Sequence, residues 1–203
     1  MRPSLSLLHP KIERQLLCFL TSYTMILYLV SGYAGSGKSF AASCLQTLVQ
    51  DSRLIAFGDA IKDGASKQYG IPRDLCDTQD GKASLVGDNG ETVRDRLIQY
   101  SAQQRELFGE SFFANVVAKV IQTTSTCSSW IIHDWRYPAE YDTLRTVFPD
   151  ATFMRIRIVR TSVQSMPLPS EHALDAYPMD HSVYNDGTVD ELMENLQGLL
   201  QQS

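Results

Sequence analysis

With 203 residues, 43% of them hydrophobic, the chain is long enough to close one full α/β core and too short for several large domains. Its formal net charge of −5 argues against a protein that coats nucleic acid or an anionic membrane. Small phosphorylated ligands stay open, because they need only a few local Arg and Lys residues. Cys18, Cys44, Cys76 and Cys127 show neither zinc spacing nor a disulfide framework, so a reducing, cytoplasmic setting is expected.

In chain order, Arg2, Lys11 and Arg14 precede an apolar run over residues 16–30 that has a faint look of a signal peptide or anchor. Thr21, Ser22 and Thr24 interrupt the run, and it is short for a bilayer. Residues 1–24 are therefore read as a weakly ordered extension, with Met25 as an alternative start, and residues 25–203 as the domain. Ile26-Leu27-Tyr28-Leu29-Val30 suits a buried central strand, and a helix over 38–49 follows it. A second strand is expected over 54–57, then a helix over 59–69 with Asp59 as N-cap and Gly70 as its stop.

Residues 71–91 are polar, carry Pro72, Gly81, Gly87 and Gly90, and read as a long mobile connection. Thr92 opens a helix reaching Phe108, and Gly109 interrupts it. The next helix carries Phe113, Val116, Val117, Val120 and Ile121 on one apolar stripe. Residues 130–134 read as a strand ending in an acid, 139–147 as a helix and 152–159 as a strand. Within that last strand Arg155 and Arg157 alternate with apolar residues, which suggests a polar face near a sheet edge. Residues 161–180, with Pro167, Pro169 and Pro178, are irregular and suit a lid. A short strand over 181–184 and a helix capped by Thr188 close the chain. The alternation implies an α/β fold with a parallel sheet and helices on both faces.

The strongest chemical signal is Gly32-Tyr33-Ala34-Gly35-Ser36-Gly37-Lys38-Ser39, a complete phosphate-binding loop between an apolar strand and a helix, with Phe40 following in the first turn. Its glycines let backbone N–H groups turn inward around a phosphate, and the helix adds its positive end. Lys38 is expected to reach the β- and γ-phosphates and Ser39 to hold Mg²⁺. Asp134, at the carboxyl end of a strand, suits Mg²⁺ directly or through water; its alternative is a helix cap before Pro138. Arg136 is placed to neutralise phosphoryl charge, the alternative being a surface pair with Glu140. Arg160, at a strand end, is better placed for phosphate than Arg155 or Arg157. Arg94, Gln99 and Arg105 lie with Arg96 on one helix, and Arg94 and Arg105 share a face that suits a second phosphate; charge patterning alone favours a solvated helix. Asp59 and Lys62 follow the second strand and are candidate acceptor contacts, with exposure the default for Lys62. His172 and His181 are isolated and are assigned no metal.

Taken in order, these pieces resemble the bacteriophage-type deoxynucleoside monophosphate kinases over about residues 25–200. The resemblance rests on the phosphate loop, Gly58-Asp59-Ala60-Ile61-Lys62-Asp63, Thr92-Val93-Arg94-Asp95-Arg96-Leu97-Ile98-Gln99 with Arg105 and Phe108-Gly109, and Asp134-Trp135-Arg136-Tyr137-Pro138-Ala139-Glu140. Val159-Arg160, Ser170-Glu171, Leu174-Asp175, Asp180 and Asn185-Asp186-Gly187-Thr188 continue it. It implies the P-loop kinase fold: a five-stranded parallel sheet, helical coverings and a small lid over about 161–180. It also implies ATP and Mg²⁺ on Gly32, Ala34, Gly35, Ser36, Gly37, Lys38, Ser39 and Phe40. Catalysis would fall to Lys38, Asp134, Arg136 and Arg160, and acceptor binding to Asp59, Lys62, Arg94, Gln99, Arg105 and Arg136 within about 59–110. The chain departs from the family at Ser101, where glycine is frequent, at Phe113, where the family often carries a tryptophan at or near this position, and in a lid without arginine.

The function expected is transfer of the ATP γ-phosphoryl group to a deoxynucleoside monophosphate. The alternatives are a phosphomevalonate-type or dephospho-coenzyme A-type kinase, a P-loop ATPase or switch, and a catalytically silent binder. Partners are then small-molecule nucleotides, neither nucleic acid nor membrane, and a homodimer is compatible with this size.

Overall fold

The computed structural model describes residues 24–201 except 88, 125 and 126. The expected N-terminal extension therefore lies, apart from Thr24, outside the described residues. Strands β1 (Ile26–Ser31), β2 (Ser52–Ile55), β3 (Ser129–Ile132), β4 (Thr152–Val159) and β5 (His181–Tyr184) form one sheet in the order β2-β3-β1-β4-β5. Every pairing is parallel. The chain runs from β1 to one edge, returns to β3, then crosses β1 to β4 and β5. Strand order reverses there, and loops at the carboxyl ends of β1, β3 and β4 gather at the switch point. The α/β class and the five parallel strands are as expected.

β1 is apolar on both faces because helices cover both. Leu27 and Leu29, with Trp130 and Ile132, pack against Phe113, Val117 and Ile121 of α5 (Phe112–Thr123) and Leu144 of α6 (Pro138–Val147). Tyr28 and Val30, with Ile131, Ile156 and Val183, pack against Ala41, Ala42 and Leu45 of α1 (Lys38–Leu48) and Leu192, Leu196 and Leu199 of α8 (Val189–Leu200). Each fully buried Leu or Ile contributes roughly 1.5–3 kcal/mol relative to exposure. On α5 the buried stripe is rotated from the expected one: Val116 is half-buried and Val120 exposed, and Ala114 and Ala118 are buried instead. Among the described residues no helix is long and apolar enough to cross a membrane. Cys44, Cys76 and Cys127 are free thiols.

Other expectations change in detail. The second strand ends at Ile55, and α2 (Phe57–Tyr69) begins two residues before Asp59, so Asp59 lies in its first turn and is not the N-cap, a position held by Ala56. Residues 71–91 are a packed region and not a bare connection. They hold a 3₁₀ turn (Arg73–Cys76), the short α3 (Gln79–Ala83) and a bridge between Leu85 and Thr92. Ile71 and Cys76 are buried with Val93 at the start of α4 (Val93–Phe108), forming a small second core. Gly81 belongs to it: a Cβ there would lie 2.4 Å from the Leu75 carbonyl oxygen. β4 lies beside the edge strand β5, near a sheet edge as expected, but its polar face is not open to solvent. The segment before β5 covers it, with Asp180 accepting from Arg155 Nη2 at 2.6 Å and the Leu174 carbonyl accepting from Arg157.

At the start of α6, Glu140 is 3% exposed and accepts from the backbone N–H groups of Arg136 (2.9 Å) and Tyr137 (3.1 Å). Burial pushes its carboxyl up to about 7. Between about pH 4.5, where the unfolded carboxyl titrates, and about pH 7, the folded chain therefore holds the extra proton. Stability from this group is present at the acidic end and is lost as pH rises through about 7. Urea unfolding across this window should show that decline, and Glu140→Gln should flatten it. An identical slope in the variant would contradict the assignment.

Candidate active site

The loop from β1 to α1 wraps tightly. Gly37, the N-cap of α1, has φ +88, and a Cβ on it would meet the Asn185 amide nitrogen at 2.2 Å. That amide donates to the Ser36 carbonyl at 2.9 Å and ties the loop to the end of β5. A Cβ on Gly32 would lie 2.4 Å from the Ile158 carbonyl, so the loop also presses on β4. Lys38 is buried and donates to the Tyr33 carbonyl at 2.7 Å. Burial, helped by the Arg136 charge, pushes its ammonium down to about 8. The Ser36 hydroxyl is buried without a partner. Ser39 and Phe40 are exposed on the first turn of α1.

Asp134 lies just past β3. Its carboxylate accepts from the N–H of Phe57 at 2.8 Å and of Gly58 at 2.7 Å. It thus caps α2 from a distant part of the chain, where Ala56 offers no side-chain acceptor. The cap expected for the helix after Pro138 serves α2 instead. Gly58 is required by this approach, since a Cβ would stand 2.9 Å from Asp134 Oδ2.

Arg136 does not pair with Glu140 through its side chain. Its guanidinium meets Glu171 at 2.5 Å. Glu171 belongs to α7 (Pro169–His172), a single turn within the lid segment. His172 is not isolated: its Nδ1 is 2.8 Å from Asp175 Oδ2, and Asp175 Oδ1 accepts from the Tyr33 hydroxyl at 2.9 Å. A cavity of about 290 Å³ lies between lid and phosphate loop, lined by Gly32, Arg136, Arg157, Arg160, Glu171 and Asp175 among others. Arg160 is at its exposed rim. Arg157, set aside in the sequence reading, lines the same cavity with its Nε buried and unpartnered.

The expected acceptor residues on this side are each engaged by a protein partner. Arg94 donates to Gln79 on α3 at 2.7 Å, and Gln99 accepts from Arg96 at 3.0 Å. Arg105 lies between the rings of Phe113 and Tyr137, 5.2 and 5.0 Å from their centroids, and donates to Ser101. It packs the Arg136-Tyr137 turn and is not a free phosphate ligand. Asp59 and Lys62 pair at 3.3 Å, and Lys62 also meets Asp77 at 3.0 Å. Lys82 on α3, missed because the 71–91 stretch read as loop, is half-buried, and its ammonium is pushed down by burial and by the charges of Lys62 and Arg94. Lys62, Lys82 and Arg94 therefore form a cationic rim on the second core. Among the described residues no group of three or more His, Cys, Asp or Glu is gathered to hold a metal ion.

No family model matches the sequence, and no curated protein matches it. Among solved structures the chain is similar to a Mycobacterium tuberculosis APS kinase at 14% identity and a TM-score of 0.44, covering 88% of this chain and 98% of that one. It is also similar to a shikimate kinase from Bacteroides thetaiotaomicron (11%, 0.43, 88% and 98%) and a gluconokinase from Sinorhizobium meliloti (14%, 0.40, 86% and 93%). At these values the likenesses bear on no substrate.

The Asp134 cap gives a ligand-free test. Asp134→Ala should cost about 0.5–2 kcal/mol in urea unfolding without nucleotide or metal, the usual range for a lost cap. Unchanged stability would contradict the capping geometry.

Proposed function

We propose that the chain is a P-loop phosphotransferase that moves the γ-phosphoryl group of Mg-ATP to a small phosphorylated acceptor, a deoxynucleoside monophosphate. The observation that carries this reading is the cavity shared by the phosphate loop and three arginines, Arg136, Arg157 and Arg160, at the switch point of a parallel sheet. A switch or motor uses one such arginine for hydrolysis, whereas three beside the loop suit a second phosphate. The phosphate-kinase resemblance of the sequence supports the choice of acceptor.

The residues present fit a nucleotide phosphate. The buried Ser36 hydroxyl lacks a partner, and the Ala34 N–H already serves a carboxylate oxygen at 2.7 Å. Lys38 would hold the phosphate oxygens; Ser39, with Asp134 through water, would hold Mg²⁺, which keeps several waters and asks for few protein ligands. Bound Mg-ATP supplies the transferable phosphoryl group and the metal's charge. Lys38, Arg136 and Arg160 neutralise charge that spreads over the moving oxygens. The acceptor phosphate is already ionised at neutral pH, so the chain needs no general base and works by positioning. Lys62, Lys82 and Arg94 are the acceptor-side cations, with Arg105 and Gln99 in supporting positions. Once both ligands are in place, closure of the lid over them excludes water and so limits ATP hydrolysis.

Variants test the two halves separately. Lys38→Ala should lower transfer by roughly a hundredfold or more at unchanged unfolding temperature. Lys82→Ala should raise KM for the monophosphate and leave KM for ATP alone. Near-normal turnover in the first, or an equal shift in both KM values in the second, would contradict the assignment. A panel of dTMP, dGMP, dCMP and dAMP, with phosphomevalonate and dephospho-coenzyme A as controls, identifies the acceptor.

A further inference from the structure

Glu171 is the most enclosed acid of the lid. Its side chain has no exposed surface, an unusual state for a carboxylate unless it is fully paired. Both oxygens are paired: Oε2 accepts from the Ala34 N–H of the phosphate loop at 2.7 Å, and Oε1 from Arg136 Nη1 at 2.5 Å. Burial pushes this carboxyl up, but the Ala34 amide, Arg136 and Lys38 outweigh it, so the group sits below its ordinary value and stays ionised. Two oxygens shared between a loop amide and a guanidinium are what a phosphate would offer these donors. The grip extends to the neighbouring residue, since Asp175 accepts from the Tyr33 hydroxyl and the Tyr33 and His172 rings stand 6.0 Å apart.

From this geometry we propose that Glu171 is an internal anion that plugs the phosphate loop when no ligand is bound, and that a nucleotide phosphate enters by exchanging with it. The inference rests on the nucleotide reading of the loop. Electrostatics make the exchange obligatory: two anions cannot share the Ala34 N–H and Arg136, so phosphate entry expels Glu171 and unlocks the lid. Release of Glu171 also frees Arg136 for the transferred group. Free inorganic phosphate, which brings fewer contacts than a triphosphate, competes poorly with the tethered carboxylate. The lid thus opens in response to a ligand that offers more than Glu171 does.

Glu171→Gln keeps the shape and removes the charge; Glu171→Ala is the second variant should the first fold poorly. Mg-ATP binding by calorimetry and hydrogen exchange over residues 162–175 are measured for wild type and variant. Loss of a charged competitor should tighten Mg-ATP binding about tenfold, the scale of one charge-assisted hydrogen bond. The lid should exchange faster without ligand. Where the wild type binds Mg-ATP, equal or weaker binding by the variant overturns the proposal. Where neither binds, the nucleotide reading fails and the exchange falls with it; where the wild type binds, equal lid exchange in the variant also overturns the plug.

Discussion

Burial of β1 on both faces is the constraint from which the site follows. A strand apolar on either side must be covered by helices on either side, and parallel neighbours supply them. Once β1 is central, the loop that leaves it opens at the point where strand order reverses. Asp134 from β3 and Arg157 and Arg160 from β4 then arrive at the same end of the sheet. Chemistry and core are one design here, because any shift of β1 moves the phosphate loop with it.

Three carboxylates brace the turns of the candidate site. Asp134 takes the first amides of α2, Glu140 those of Arg136 and Tyr137, and Glu171 that of Ala34. The same chemistry, an acid facing converging N–H groups, has three outcomes set by surroundings. Asp134 fixes a helix end. Glu140, buried with little countercharge, is pushed toward its neutral form. Glu171, beside Arg136 and Lys38, stays charged and occupies a place suited to phosphate.

The sheet and the phosphate loop were legible in the sequence because their signals are local: a short apolar strand, fixed glycine spacing, and a Lys-Ser pair opening a helix. Thr92 as a cap and Gly109 as a stop were legible for the same reason. What was not legible depended on distant pairs. Nothing near Ala56 announces that Asp134 caps it, so α2 was started too late. The 71–91 stretch has no long periodicity, and its small core of Ile71, Cys76 and Val93 is assembled from three separate pieces. Arg105 carries the charge that the sequence resemblance asks for, yet two rings enclose it. Glu171 lies in a proline-broken segment, and only the folded chain brings it to Ala34.

The central proposal is a phosphate loop that serves transfer to a second small molecule. Its most direct test follows the label of γ-³²P-ATP incubated with the protein, Mg²⁺ and a deoxynucleoside monophosphate. A loop of that kind releases label from ATP only when the acceptor is present, and the label is recovered as the deoxynucleoside diphosphate. Label released as inorganic phosphate at the same rate with and without acceptor would contradict it.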